Sequence, residues 1–566
     1  MKKIINMAIS ISLLAIISSC YDLDRYPNNQ LSAGTFWKTE DQAHEAMAGM
    51  YSMLQNDYVT GIQFGLDCLG SIGSGYDAAA YSDIGRGTYT SSSSWVTSKW
   101  SNLYEGIARA NLILQNIDKV EMSDLLKEEY KAEAKFMRAF FYFELLKFYG
   151  GVPIYDESVV VSQSFNEMKS PRNTAEEVRT FILKDLDAAI SGLPEEWSSS
   201  DYGRATKWAA VAMEGKVYLY NKQYSEAANC FQQVISSGKY ALYDSYENLF
   251  KPGGDESNEM IFAVQNMGGV GQDYGMPMTF YMGTRSSYGS CWDNVTVATD
   301  FVDNYECIDG KPFNWDDWIP GFNESDDVKK ATFMATLSSD LKSVAQYPAA
   351  KETLLNIYKH RDPRMSATLI LPYTMYKGWA ANAPSDDEYV IASGVNENNH
   401  FIRVNNGWHV YLFRKFVAEY DMDGAINNRA DTPINFPLIR YADVLLMLAE
   451  CDNELGQQDD AVKLINQVRA RVGMPGLNSG PEWLRATTKE EVFERIKHER
   501  AVEFAGEGLS FDDYKRWGLL QTLSRPIKAF TGETLYNRVV RDRDYLWPIP
   551  QTEIDQNKNL EQNPGW

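Results

Sequence analysis

KWAAVAMEGKVYLYNKQYSEAANCFQQVISSG, residues 207–238, decides the fold. Small Ala and Gly residues recur among larger apolar ones at helical spacing. A polar turn at Asn221–Tyr224 interrupts the run, and a second apolar stripe follows. The pattern predicts two helices joined by a short turn. Residues 438–472, LIRYADVLLMLAECDNELGQQDDAVKLINQVRARV, repeat the plan. Gly456 supplies the turn there. Ala461, Leu464, Ile465, Val468 and Val472 share one face of the second helix. Helix pairs of this kind cannot bury their faces alone and must stack on neighbours.

Both segments resemble tetratricopeptide repeats. Outward from them, Leu103, Ile107, Ala110, Leu114 and Ile117 alternate steps of four and three, which puts them on one helix face. A helix over about 128–148 is apolar on much of its surface and is stopped by GGVP at 150–153. Another spans about 175–190 and ends at SGLP. The fold expected is mainly α, a tetratricopeptide-like helical repeat scaffold split between residues 35–265 and 436–520, with 521–566 as a C-terminal extension packed on it. Between the halves, residues 266–435 mix Gly, Asn, Asp and aromatics without long periodicity. They read as an irregular, loop-rich ligand lobe with short strands. A second irregular stretch, 58–95, is rich in Gly, Ser and Tyr. Loops carried on a rigid scaffold are where recognition is expected.

The N-terminus adds an address. Lys2 and Lys3 precede an uncharged, mostly apolar stretch to Ile17, then Ser18, Ser19 and Cys20. This describes a lipoprotein signal over 1–19, lipidation at Cys20 and a polar tether over 20–34. The net charge of −23 argues against nucleic acid or anionic lipid as partners. The other five cysteines show no C-x-x-C spacing. Cys230 and Cys451 fall in helical patterns and read as core, while Cys291 and Cys307 could form a bridge.

Several motifs in order carry a family resemblance. They are AEAKFMRAFFYFELLKFYGGVPIY (132–155), GRATKWAAVAMEGKVYLY (203–220) and HRDPRM (360–365). IRYADVLLMLAECDNELG (439–456) with AVKLINQVRARVG (461–473), IKHERAVEFAGEG (496–508) with DDYKRWG (512–518), and LWPIPQTEIDQNKNLEQNPGW (546–566) complete the set. The chain resembles the SusD/RagB family of Bacteroidetes outer-membrane lipoproteins over nearly its whole length. One departure is that Leu509 and Ser510 follow Glu507-Gly508 where the family pattern usually has Arg two residues on, which removes a local ion pair. The resemblance implies a lipid-anchored protein of the outer membrane, facing outward, that binds glycans without cleaving them. It also implies a SusC-like TonB-dependent transporter as partner, in the manner of a starch utilization system, and no cofactor. Asp22 and Asp24 look like the acidic signals that direct such lipoproteins outward.

Sugar rings stack on aromatic faces, and their hydroxyls need amides, carboxylates or Arg at the rim. The candidates in irregular polar segments are Tyr76, Asp77, Tyr81 and Trp95 in the first loop. In the lobe they are Tyr281, Arg285, Tyr288, Trp292 and Asn294, with Tyr274 and Asp293 beside them, and Trp315 and Trp318 in FNWDDW. A platform elsewhere would fall around Trp379 and Trp408. Trp100 and Tyr104 begin a helix with core periodicity and read as structural. Glu499, Arg500, Glu503 and Glu507 recur at helical intervals and read as a network locking the last helices. The five histidines form no H-E-x-x-H spacing, and no G-x-S-x-G elbow appears, so no catalytic or metal site is expected. Asp386–Glu388 is an acidic loop that could hide a glycosidase pair, but it fits a solvated surface or a calcium site better. Two other functions stay open: a protein- or peptide-binding surface scaffold of the same fold, and a surface glycoside hydrolase.

Overall fold

The computed structural model describes residues 36–160, 168–268, 274–392 and 411–566. Cys20 and the leader lie outside them, as does Trp408. The architecture is mainly α, with six two-stranded antiparallel pairs among the described residues. The helices that matter here are α1 (Glu40–Tyr51), α2 (Ser94–Asn116), α3 (Asp124–Tyr149), α4 (Ala175–Gly192), α5 (Lys207–Tyr220), α6 (Tyr224–Ser236), α7 (Tyr441–Glu454), α8 (Gln458–Arg471) and α9 (Lys489–Glu503). Of the twelve strands among the described residues, those that matter here are β1 (Gly73–Gly75), β2 (Met260–Val264), β3 (Val295–Val297), β4 (Met375–Ala380), β5 (Ala383–Glu388) and β6 (Phe436–Arg440).

Local chemistry sets the helix ends. Thr39 with Gln42, Thr174 with Glu177 and Thr488 with Glu491 form capping boxes that start α1, α4 and α9. Packing sets the rest. Successive helices from α2 to α6 lie against one another, and α6 packs on α7, so the two repeat segments join into one stack. Small residues let the helices close. A Cβ at Gly215 of α5 would meet the Phe231 ring of α6 at 2.6 Å, and one at Gly106 of α2 would meet Phe141 of α3 at 2.7 Å. On α8 the predicted face is buried at Ala461, Ile465 and Val468, with Leu464 and Val472 half-buried. One boundary differs from the periodicity reading. Residues 438–440 belong to β6, paired with β2, and the helix begins only at Tyr441. Pro437 lacks the N–H that an earlier helical turn would use.

The C-terminal motifs meet in a buried charge network. Arg364 reaches Asp362, Glu499 and Glu503, while Arg440 reaches Glu259, Glu503 and Glu507. Arg471 adds a further bond to Glu503 at 2.5 Å, and Lys415 pairs with Glu507 at 2.6 Å. Burial alone would raise the Glu503 carboxyl, but Arg471, Arg440 and Arg364 outweigh it and hold Glu503 well below the usual range. Arg500 instead pairs with Asp443 and Asp513. Ser510 Oγ accepts the Ser71 amide at 3.0 Å and ties the first irregular loop to this end of the chain.

The same loop, 58–95, folds as short helical turns, with a core of Phe64, Leu66, Leu69, Ile72 and Tyr89 all buried. Cys291 and Cys307 are both free thiols, so the bridge considered for them is not formed. Cys291 is buried and donates to the Tyr288 carbonyl.

Candidate functional site

A three-residue ladder assembles the site. Gly73, Ser74 and Gly75 of β1 pair with Val297, Thr296 and Val295 of β3. The ladder sets Tyr76 and Asp77, just after β1, beside Trp292, Asp293 and Asn294, just before β3. A Cβ at Gly75 would collide with Ala80 Cβ and the Asn294 carbonyl, so the approach needs glycine. Tyr76 donates its hydroxyl to the Trp292 carbonyl at 3.0 Å. Asn294 is buried and donates its side-chain amide to Asp77, whose other oxygen accepts the Ala79 N–H at 3.0 Å. Asn294 therefore braces the loop and faces away from solvent.

The Trp292 ring is held out by a folded-back backbone. Cys291, Trp292 and Asp293 donate their amides to the carbonyls of Thr284, Phe280 and Gly283 at 2.9, 3.1 and 2.8 Å. Gly289, Ser290 and Asp293 take φ values of 74°, 61° and 44°, which marks a strained loop for its non-glycine members. Phe280 lies 5.0 Å from Trp292, ring to ring, and 4.8 Å from Tyr281. The Arg429 guanidinium sits 4.7 Å over Phe280 and 5.7 Å from Trp292, and donates to the carbonyls of Gly289 and Ser290. The result is a patch whose outer members, Tyr76 and Trp292, are 40% and 43% exposed. Exposed Arg285 stands beside it, and half-buried Tyr281 flanks Phe280. Tyr288 pairs with Trp379 at 5.4 Å, where the Trp379 amide donates to Ser286 at 2.7 Å.

Electrostatics fit recognition of hydroxyls. Burial pushes the Tyr76 hydroxyl up to about 12, with Asp293 and Asp77 adding to the rise, so it stays a donor at neutral pH. Burial also pushes Asp293 up to about 7, against the opposing pull of Arg285. The patch therefore holds two ring faces, a guanidinium and a carboxyl that changes charge near neutrality.

Besides Asn294, burial removes three predicted aromatics from the surface. Tyr81 is 2% exposed and stacks on Trp95 at 4.0 Å, and Trp95 is 4% exposed with its indole N–H donated to the Ala78 carbonyl at 2.7 Å. Trp315 is buried between Phe322 and Phe333, its N–H donated to Asp303 at 2.8 Å. In each case the polar atom finds a local partner, so the ring can go inside. Trp318 is half-buried and packs 5.7 Å from His360, in a separate cluster. Trp100 and Tyr104 are packed at 5.1 Å along α2, as their periodicity indicates. Asp386 accepts from Tyr420, and Glu388 from Tyr347 and Lys351. Among the described residues no group of three or more His, Cys, Asp or Glu could hold a metal. Sequence reasoning missed Phe280 and Arg429. Phe280 adjoins Tyr281 in a short apolar run that reads as core, and Arg429 comes from a distant polar loop with no local signal.

Comparisons with known proteins bear on the family and the fold. A model described as "SusD family" matches residues 258–566, and one described as "Starch-binding associating with outer membrane" matches residues 23–219. The chain belongs to the SusD family. The SusD-like protein P25 of Formosa agariphila is 26% identical over 99% of this chain and 98% of its own. The starch-binding protein SusD of Bacteroides thetaiotaomicron is 24% identical over 81% of this chain and 76% of its own. A crystal structure of a SusD-like protein from Bacteroides fragilis, 24% identical, superposes with a TM-score of 0.74 over 96% of this chain and all of that one. A laminarin-binding SusD-like protein, also 24% identical, gives 0.63 over 94% of this chain and all of its own. At such identities the structures establish the fold alone. No helix among the described residues is long and apolar enough to cross a membrane.

Proposed function

We propose that this protein captures an extracellular oligosaccharide or polysaccharide on the outer face of the outer membrane and passes it to a SusC-like TonB-dependent transporter for import. It does so as a lipoprotein held through Cys20, and it binds without cleaving. The observation that carries this reading is the exposed pair Tyr76 and Trp292, backed by Phe280 and Arg429. Asp77, Tyr281, Arg285 and Tyr288 surround the pair and complete the glycan platform. Family membership and the starch-binding description of one matching model support the substrate class.

Calorimetry and affinity electrophoresis on soluble starch and laminarin, with reducing-end assays on the same mixtures, test it. Binding with no new reducing ends, weakened by Trp292→Ala, is the expected result. Steady release of reducing ends, abolished by one carboxylate substitution, would favour a hydrolase. Cys20→Ala should move the protein to the aqueous phase, and protease added to intact cells should remove the wild-type protein.

A further inference from the structure

A second hollow lies away from the platform. A groove of about 990 Å³ runs between α1, the 199–203 turn, the 252–256 turn and the end of β2, reaching Tyr274. A smaller hollow of about 200 Å³ continues it past Ala48 and Tyr51 toward His44 and Tyr130. None of Tyr76, Phe280, Tyr281, Trp292 or Arg429 lines it. We propose that this groove is a second oligosaccharide-binding site, specific for neutral sugars, with Tyr202 and Tyr274 as its stacking residues. The inference rests on the glycan-binding reading above.

Four features carry it. Tyr202 and Tyr274 are both exposed large aromatics on the groove wall, the type of surface that sugar faces stack on. The Tyr202 ring is held by its hydroxyl, which donates to the Asp255 carbonyl at 2.8 Å, and the main chain at Tyr274 is held by Gln55 Nε2, which donates to its carbonyl at 2.6 Å. The polar lining is hydroxyl and amide chemistry with two acids, Asp255 and Glu256, among apolar Leu54, Val264 and Met267; among the described residues the groove itself has no Lys or Arg, and Arg204 of the adjoining hollow is already paired with Glu133 and Asp201, which disfavours anionic glycans. Finally, the wall is built with room. Gly203 sits at φ +93°, where a Cβ would strike the Gln265 side chain, whereas a Cβ on Gly49 or Gly253 would meet nothing within 4 Å. The volume matches the upper end of ligand sites, about 300–1,000 Å³. Gln55 lines the groove, and Tyr58, three residues on, packs on Trp95 beneath the platform loop.

The test uses the purified full-length protein on an array of neutral and uronic-acid oligosaccharides and of peptides, followed by calorimetry on the neutral hits. Two groove variants are compared, Tyr202→Ala with Tyr274→Ala, and Ala48→Arg, which fills the groove from the exposed face of α1 and removes no aromatic. Each should weaken binding of long neutral oligosaccharides by about five- to tenfold, with unchanged circular dichroism. Trp292→Ala should leave residual binding that the groove variants then remove. If both groove variants bind every oligosaccharide as wild type does, while Trp292→Ala alone abolishes binding, the second site does not exist and the platform reading survives. Groove variants that change only peptide or uronic-acid binding would also overturn it. Absence of any oligosaccharide binding by the wild type would overturn this inference and the glycan-capture reading together.

Discussion

Tyr76 and Tyr81 stand five residues apart in one Gly- and Ser-rich loop, yet they have opposite fates. Tyr81 faces inward against Trp95, with Trp547 6.5 Å away on the far side. Tyr76 faces outward and spends its hydroxyl on the backbone of Trp292. Composition is the same for both. The difference lies in what the rest of the chain brings to each. The C-terminal segment delivers a buried Trp547 to one, and the β3 approach delivers a strained loop to the other. Aromatics in a polar loop are therefore not a site until a distant segment decides which of them stay outside.

This contrast can be broken at four points. Trp95→Ala should cost about 3–5 kcal/mol of stability, because it empties a packed site beneath the loop. Thermal melts should show the loss, and refolded protein should keep its affinity for sugar. A variant that loses affinity with an unchanged melting temperature would reverse the assignment of inner and outer rings. Trp292→Ala combined with Tyr76→Ala should behave in the opposite way, weakening oligosaccharide binding at least tenfold, about 1.4 kcal/mol, with the melt unchanged. Tyr76→Phe isolates the hydroxyl. Losing its bond to the Trp292 carbonyl should cost about 0.5–1.5 kcal/mol, read as weaker binding through a looser Trp292. An equal loss from Tyr81→Phe, whose bond to the Ile62 carbonyl is long at 3.4 Å, would erase the contrast.

The smallest effect is a pH dependence. Asp293 has a folded-state value raised to about 7 by burial, so it gains charge as pH rises through neutrality. An ionised carboxylate accepts sugar hydroxyls more strongly, so affinity should rise about threefold from pH 6 to pH 8. Asp293→Asn should flatten that profile. The stability sign is the reverse. A raised carboxyl binds a proton in the native state that the unfolded chain has already lost, so its contribution falls as pH climbs from about 4 to 7. The Asn variant should therefore melt higher than wild type at pH 8. A flat wild-type profile between pH 6 and 8 would remove Asp293 from the site.

The scaffold was legible because its signals are local. Periodicity, small residues facing large ones and Thr–Gln or Thr–Glu capping boxes lie within a few residues of each other. The repeat at 207–238 and the stripe on α8 needed no distant information. The charge network was half legible: helical spacing placed Glu499, Glu503 and Glu507 together, but their partners Arg364 and Arg440 come from other segments. The platform was legible only as a list. Trp292 and Tyr76 read the same as Tyr81, Trp95 and Trp315 because residue type does not report where a ring packs: Trp95 and Trp315 find inward partners nearby in the chain, whereas Tyr76 and Trp292 meet only when distant loops come together. Arg429 left no local trace, since nothing near it in the chain reports that its guanidinium covers Phe280.

The platform is fastened almost wholly through main-chain carbonyls. Tyr76 grips the carbonyl of residue 292, and Arg429 grips those of residues 289 and 290. Every residue type presents a carbonyl, so the fasteners do not depend on what side chain stands at 292. Tryptophan there can be exchanged for another ring, or for none, without unhooking the loop. If the patch takes glycan as proposed, a surface wired in this way lets mutation change the preferred sugar one residue at a time while the helical stack beneath stays the same.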